Sequence, residues 1–187
     1  MTPTHVLEEE HERILVLLLV LDRLARQVRE GERPFDRIAE CLELLRTFAD
    51  GAHHGKEERH LFPALEQAGL PRHAGPIGVM LREHDLGRAE LSTMAAALDD
   101  LRRDEAGAAV RLSRAAASYT GLLRDHIDKE NLVLFRMARE LLPVGAAEAL
   151  TAAYAGVDED ALGPGGYARA LARIDRLEQE VLGATAV

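Results

Sequence analysis

The sequence predicts an all-α protein that is built as an antiparallel, up-down bundle of four long helices with extra helices at its C-terminal end. Ala, Leu, Glu and Arg dominate the 187 residues and aromatic residues make up only 4%, a composition typical of helical proteins. Helix start and stop signals divide the chain into long segments with short connections, which favours antiparallel packing. No stretch alternates apolar and polar residues, so no strand is predicted.

Start and stop residues locate each helix. Thr2 is a good N-cap residue and Pro3 suits the first helical position, so the first helix begins there. Glycines end the first and second helices, and Pro143 ends the fourth. We expect Pro63 to bend the second helix. The predicted helices cover residues 3–30, 34–68, 77–103, 105–142, 146–155 and 167–182.

The chain is expected to contain one bundle domain, residues 1–142, followed by a C-terminal helical extension, residues 143–187. The last helix carries an apolar row that consists of Leu171, Ile174, Leu177 and Val181. Such a row must be covered, and we expect it to pack back on the bundle. A dimer interface is the alternative, so the chain is expected to be a monomer or a homodimer.

Charge and cysteine content limit the classes of function. With 23 basic and 32 acidic residues, the net charge of −9 offers no footprint for nucleic acid or for an anionic membrane. Cys41 is the only cysteine and cannot form an internal disulfide, which fits a reducing compartment. The first ten residues lack signal-peptide features, and the apolar run at residues 14–21 is shorter than the ~20 residues of a membrane span. These features predict a cytoplasmic protein.

An internal repeat links the second and fourth helices. Residues 53–62 and residues 126–135 both follow the pattern H-x-x-K-E-x-x-x-L-F. The repeat places His53 one turn before Glu57, and His126 one turn before Glu130. Local apolar periodicity in the second helix instead favours the neighbouring pair, His54 and Glu58. We favour the first pair, because the repeat matches residue type and spacing at five positions.

Helical periodicity turns several ionisable side chains towards the core, because residues three, four and seven apart share one face. His11 lies in an apolar row made of Leu7, Ile14, Leu18, Leu21 and Val28. His84 lies in a row made of Ile77, Leu81, Leu91, Ala95 and Leu98. His126 and Glu130 lie in a row made of Leu112, Tyr119, Leu122, Val133, Met137 and Leu141.

Two buried carboxylates among four imidazoles predict a site for two cations. A single inward histidine is more often a hydrogen-bonded core residue, and a repeat can be a packing motif. The coincidence of six such residues on four helices favours metal, because a buried carboxylate is costly unless its charge is compensated. Imidazole suits Fe, Zn and Cu, and His/Glu pairs on facing helices are a known way to build a dimetal site in a bundle.

The remaining candidates are less clear. Tyr119 lies two turns before His126, where core packing is favoured and a hydrogen bond to a metal-bound ligand is the alternative. His5 and His73 are expected at the surface, and the position of His60 stays open.

These motifs resemble the hemerythrin-like (HHE cation-binding) family over about residues 5–142. The residues that carry the resemblance are residues 10–14, 53–63, 83–85 and 125–135, with a paired H-x-x-x-E followed by Leu-Phe. The segment from Glu57 to Pro63 and the segment 83–85 look especially like the iron–sulfur repair di-iron proteins of that group. The resemblance implies a four-helix bundle with two iron ions, oxo- or hydroxo-bridged and carboxylate-bridged. It implies that the terminal ligands are His11, His53, His84 and His126, and that the bridges are Glu57 and Glu130.

The sequence departs from hemerythrin at one ligand. Hemerythrin has a fifth histidine one turn before the third-helix ligand, and Met80 stands in that place. His54 can supply the missing ligand, while His60 and Glu58 are weaker candidates. If none of them binds, one iron keeps an open position, which favours redox chemistry or small-molecule binding over storage.

The resemblance implies a non-haem di-iron protein that binds or senses oxygen or nitric oxide, or handles iron under oxidative or nitrosative stress. A metal-binding or small-molecule-binding protein is favoured over a dedicated enzyme. One alternative is a di-iron enzyme that decomposes peroxide, and another is a helical interaction module. Manganese or zinc could occupy the same residues.

Overall fold

The protein is an all-α bundle of the hemerythrin type, as a computed structural model shows. The structure describes residues 2–143 and 145–183, and within this part of the chain there is no strand. Met1, residue 144 and residues 184–187 of the predicted extension lie outside the described residues. We label the six helices α1 (Pro3–Arg29), α2 (residues 35–67), α3 (Gly75–Arg102), α4 (residues 108–141), α5 (Ala146–Leu162) and α6 (Gly166–Val181).

The ends of α1 follow the predicted capping chemistry. The Thr2 hydroxyl accepts a hydrogen bond from the backbone N–H of His5 at 3.2 Å, and Pro3 occupies the first turn. The chain leaves the helix through Gly31, whose φ of +94° is a conformation that favours glycine. These residues fix where α1 begins and ends, and therefore where His11 stands along the bundle.

Two of the bundle helices change their winding near the middle. α2 consists of the α-helical segment Phe35–Leu44, the π-helical segments Leu45–His54 and Glu57–Leu61, and the α-helical segment Phe62–Gln67. α4 consists of Ala108–Lys129, the π-helical segment Glu130–Leu134 and Phe135–Leu141. A π turn accommodates an extra residue, so the face that points inward shifts beyond it.

This shift corrects the predicted apolar row of α4. Val133 and Leu141 were expected in the core, but their side chains are 48% and 40% exposed. Leu134, Phe135 and Ala138 are buried in their place. The prediction was wrong at these positions because it continued a regular period of 3.6 residues through the π segment.

Helices α1 to α4 enclose the main core, and the C-terminal helices join it. The side chains of Ile174, Leu177 and Val181 on α6 are buried in the same apolar cluster as α1 and α2, while Leu171 packs against its edge. α5 packs on the π-helical part of α2 and on α1. The last two helices therefore cover the bundle, while the domain boundary after residue 142 stays a prediction. Within the described residues, no helix is both long enough and apolar enough to cross a membrane.

Helix α5 is longer than the sequence indicated. The prediction ended it at residue 155, before Gly156, whereas it continues to Leu162 and stops at Gly163, whose φ is +76°. Glycine in a helix costs only about 1 kcal/mol, which packing can offset. Here the added turns carry Val157 and Asp158, and both side chains contact α2.

Two glycines let α5 approach α2 closely. A Cβ atom at Gly55 would lie 3.0 Å from Cγ1 of Val157, and one at Gly51 would lie 3.3 Å from Cβ of Ala161. These residues are four apart on α2 and face successive turns of α5. A side chain at either position would push α5 away from the bundle.

Replacing Gly55 with leucine should therefore destabilise the fold. We expect Gly55→Leu to lower the free energy of unfolding by about 1–3 kcal/mol, since the added carbons meet a packed helix. Gly121 is the matched control, because it is a helical glycine with no atom within 4 Å of its Cβ position. Gly121→Leu should leave stability unchanged or raise it by up to about 1 kcal/mol through helix propensity. Urea denaturation of both variants without metal measures the difference, and equal effects would contradict close packing at Gly55.

Candidate metal centre

Seven polar side chains from all four bundle helices meet in the interior. None of them is more than 4% exposed. They are His11 on α1; His53, His54 and Glu57 on α2; His84 on α3; and His126 and Glu130 on α4. All six residues that the sequence predicted are thus brought together, and His54 joins them.

Their ligand-type atoms form two groups. In each group these atoms all lie within 4.8 Å of one another. We call the first group the two-imidazole position; its residues are His11, His53, Glu57 and Glu130. We call the second the three-imidazole position; its residues are His54, Glu57, His84 and His126.

The two carboxylates lie between these positions. Oε1 of Glu57 is 3.7 Å from Nε2 of His53, and its Oε2 is 3.4 Å from Nε2 of His84. Oε2 of Glu130 is 3.1 Å from Nε2 of His11 and 3.4 Å from Nε2 of His126. Each carboxylate therefore spans both groups, which is the placement that a bridge between two cations needs.

Several buried polar atoms at this centre have no hydrogen-bond partner among the described residues. They are both carboxylate oxygens of Glu57, Oε1 of Glu130, and Nε2 of His53 and His54. Leaving such atoms unpaired in the interior is costly. Cations bound by these oxygens and nitrogens would satisfy all of them.

The imidazoles of the three-imidazole position also converge closely. Nε2 of His84 lies 3.2 Å from Nε2 of His126, and the rings of His54 and His84 stack at 3.8 Å. Two nitrogens that each lie about 2.1 Å from one ion, at a right angle, would be about 3 Å apart. The donor set and its spacing fit a metal ion.

Every imidazole is oriented by an oxygen at its other nitrogen. The Nδ1 contacts are His11 to Asn131 at 2.9 Å, His53 to Glu10 at 3.0 Å, His54 to Asp50 at 3.3 Å, His84 to Glu58 at 2.7 Å and His126 to Glu83 at 3.0 Å. Because these oxygens accept, each Nδ1 donates its hydrogen, and the lone pair of Nε2 points to the centre. Such partners set the tautomer and raise the basicity of metal-binding histidines.

Cationic side chains hold those orienting carboxylates in turn. Lys56 contacts Glu10, and Lys129 contacts Glu83. Arg88 holds two at once, since its Nε lies 2.8 Å from Asp50 and its Nη2 lies 2.6 Å from Glu58. The centre is therefore surrounded by acidic residues that are themselves neutralised from outside.

Burial and charge set the protonation of the centre without metal. Burial, and then the charge of Glu130, raise the pKa of Glu57 well above its usual value. Burial lowers the pKa of His54 to about 3, and it lowers the pKa of His53 well below its usual value. Burial opposes the charge of His126, but the charge of Glu130 outweighs it and raises the pKa. His53 and His54 are thus neutral near pH 7, as metal ligands must be, while Glu57 and His126 hold protons.

The Leu-Phe part of the repeat lines the site. The ring of Phe135 stacks on His11 with centroids 5.4 Å apart, and the ring of Phe62 stacks on His84 at 5.9 Å. Each half of the repeat therefore supplies an aromatic wall to a histidine of the other half. These buried rings keep the imidazoles away from solvent.

The structure brings both candidate histidines of α2 inward. Neighbouring residues of a regular α-helix do not share a face, but His53 and His54 end a π-helical segment. Glu58, the alternative partner of His54, points to the outer side of His84. Asp50 stands one turn before His54, and this spacing is the signal that could have marked His54 as an oriented ligand.

The other predicted residues lie away from the centre. His5 and His73 are exposed, as expected, and His60 is half-buried with its ring 6.4 Å from that of Tyr154. Met80, which stands where hemerythrin has a ligand, is buried among apolar side chains. Burial, and then the charge of Asp50, raise the pKa of Tyr119, so its charged neighbour is not a carboxylate of the centre.

Tyr154 of α5 was not anticipated near the centre. It is buried, and its hydroxyl has no hydrogen-bond partner among the described residues. Burial, and then the charges of Glu57 and Glu10, raise its pKa. The sequence carried no signal for it, because the contact depends on where α5 packs.

An antiparallel four-helix bundle with buried His and Glu clusters that suit metal defines a class of helical metal-binding proteins. Within that class, residues 2–138 match the model of the hemerythrin HHE cation-binding domain, and the chain belongs to this family. It is 35% identical over 135 residues to the iron-sulfur cluster repair protein YtfE of Edwardsiella ictaluri, covering 70% of this chain and 60% of that protein. It is 27% identical over 133 residues to an uncharacterised protein of Mycobacterium tuberculosis, covering 68% of this chain and 49% of that protein.

The chain therefore spans about half of the mycobacterial relative and 60% of the YtfE protein. No solved structure was found to match it. The family match ends before α5, so the last two helices lie beyond the shared domain.

Metal binding at this centre should strengthen as the pH rises. A cation must displace the protons that Glu57 and His126 hold through their raised pKa values, so binding releases protons. Competition titration with Zn²⁺ from about pH 6 to 8 should show rising affinity, and calorimetry in two buffers should show net proton release. An affinity that does not change with pH would show that both groups are already deprotonated.

Proposed function

We propose that this protein holds two iron ions at the two- and three-imidazole positions and binds oxygen or nitric oxide there. The observation that carries the proposal is the set of five buried imidazoles whose Nε2 atoms surround two buried carboxylates with unpaired oxygens. No protein side chain answers that set, and two cations would. A role in the response to oxidative or nitrosative stress follows from this small-molecule chemistry.

The ligand assignment follows the geometry. His11 and His53 would hold one ion, and His54, His84 and His126 would hold the other. Glu57 and Glu130 would bridge the pair, since each spans both positions. The residues thus supply five nitrogens and two carboxylates.

The two positions are chemically unequal. One ion has three imidazoles and the other has two, so the two-imidazole position keeps more room for an external ligand. Iron, when bound, would supply the redox chemistry and the open coordination position. The protein's own contribution is to fix the ligands, to neutralise the buried charge and to exclude water.

The choice of iron rests on the donor set and on the comparisons. Imidazole with carboxylate suits iron, zinc and manganese, so the donors alone do not select one. The YtfE relative is named for iron–sulfur cluster repair, and a role in iron handling under stress is the corresponding proposal here. Because that relative is longer than the matched segment, its activity does not follow from the shared domain alone.

His54 should be required for the second ion. Removing its imidazole leaves the three-imidazole position with two, so we expect His54→Ala to bind about one ion per chain firmly and to lose at least 10-fold in affinity for the other. His60→Ala is the matched control, because His60 lies on the same helix outside both groups. Metal content after dialysis against a weak chelator measures the difference. Full metal content in His54→Ala would remove it from the ligand set.

The proposed function is tested by iron content, spectrum and ligand binding. Aerobically purified or iron-reconstituted protein should contain about two iron ions per chain and show oxo-bridge charge-transfer absorption, and the reduced protein should bind nitric oxide. Glu57→Ala should lose both ions, since Glu57 belongs to both groups. Well under one iron per chain without that absorption would contradict the proposal. Rapid oxygen evolution from peroxide by the iron-loaded protein would instead favour the peroxide-decomposing enzyme.

A further inference from the structure

The bundle contains two equivalent chains of contacts that end at a metal-site histidine. In the first half, Lys56 contacts Glu10, and Glu10 contacts Nδ1 of His53. In the second half, Lys129 contacts Glu83, and Glu83 contacts Nδ1 of His126. The lysines are the Lys of the H-x-x-K-E repeat, and each glutamate directly precedes the histidine of the preceding helix, His11 or His84.

The two chains differ in what lies beyond the lysine. The side chain of Lys129 is 44% exposed, and among the described residues Glu83 is its only ion-pair partner. The side chain of Lys56 is 0% exposed, and its Nζ also lies 2.5 Å from Oδ1 of Asp158 on α5. The repeat therefore begins as a symmetrical device, and only the first half is covered.

The cover comes from the two C-terminal helices. Val157 packs against Gly55, directly beside Lys56, and Asp158 follows it on α5. The ring of Tyr167 on α6 lies under the ammonium group, with Nζ 5.2 Å from its centroid. Lys56 is thus enclosed by two carboxylates and an aromatic face, with no access to water.

A buried ammonium group needs such partners, and their arrangement fixes its position. Without water, the cation lies where both Glu10 and Asp158 can reach it, since an uncompensated buried charge is strongly unfavourable. Glu10 is held in turn between Lys56 and His53. The exposed Lys129 has no such constraint, because solvent screens its charge.

We propose that α5 and α6 are part of the metal centre: through Asp158, Lys56 and Glu10 they position His53 and so control the ion at the two-imidazole position. The inference rests on the proposed dimetal function. Asp158 and Lys56 are positioning residues that act through Glu10. The C-terminal helices thereby make two related halves unequal, and they do so at the position that has fewer protein ligands.

The test compares the two lysines in the full-length chain. Lys56→Met and Lys129→Met are loaded with Co²⁺, whose ligand-field absorption reports each position, and the stepwise affinities are measured by chelator competition. We expect Lys56→Met to weaken one of the two ions by about 10- to 100-fold and to change its absorption, as loss of an outer partner does. Lys129→Met should change either affinity by less than about threefold, because solvent replaces its charge.

A second pair of variants keeps the test valid if Lys56→Met does not fold. Asp158→Asn preserves size and an acceptor oxygen, while Asp160→Asn removes an exposed charge on the same helix that pairs only with Arg59 among the described residues. We expect a loss confined to the same ion in Asp158→Asn and none in Asp160→Asn. Circular dichroism of the metal-free variants confirms the fold.

Two results would overturn the inference. In one, wild-type protein binds two ions and both Lys56→Met and Asp158→Asn, or Asp158→Asn alone if Lys56→Met does not fold, keep both affinities. In the other, Lys129→Met loses as much affinity as Lys56→Met. In both cases the dimetal centre itself stands. If wild-type protein fails to bind two ions, the proposed function fails and the inference falls with it.

Discussion

The burial of Glu57 and Glu130 at the middle of the bundle is the constraint on which the rest of the structure depends. Two carboxylates without water must be compensated, and the five imidazoles cannot do this while they remain neutral. The protein answers with concentric layers of polar residues: imidazoles around the carboxylates, acids on the imidazoles, and cations on the acids. Two metal ions complete this arrangement, which explains why so many polar groups are kept in the core.

Stability and function compete for the same interior. The apolar cluster around Leu24 and Phe48 fills the half of the bundle away from the centre, and the histidines occupy the other half, where packing alone would prefer leucine. The π-helical segments in α2 and α4 lie at this boundary. They shift the inward face by one residue, so that neighbouring positions such as His53 and His54 both reach the centre. Irregular winding is thus a means of placing more ligands on one helix than an α-helix allows.

The internal repeat explains the near-symmetry of the centre, and the departures from it are where the chemistry becomes specific. His54 has no counterpart in the second half, where Ile127 stands at the equivalent place. The cover over Lys56 has no counterpart over Lys129. Both departures distinguish the two metal positions, the first by ligand number and the second by the rigidity of the outer contacts. A duplicated bundle can therefore give one ion a holding role and leave the other more open.

The sequence by itself determined the four-helix bundle and six of the seven central residues, because helical periodicity and the repeat are local patterns that survive without coordinates. It did not determine the register of α4 beyond Glu130, the inward turn of His54 or the length of α5. These depend on π-helical winding and on the close approach of α5 at Gly55, which are set by packing between distant segments. The contacts of Tyr154 and Asp158 were decided by tertiary structure alone, since roughly a hundred residues separate them from the groups they face.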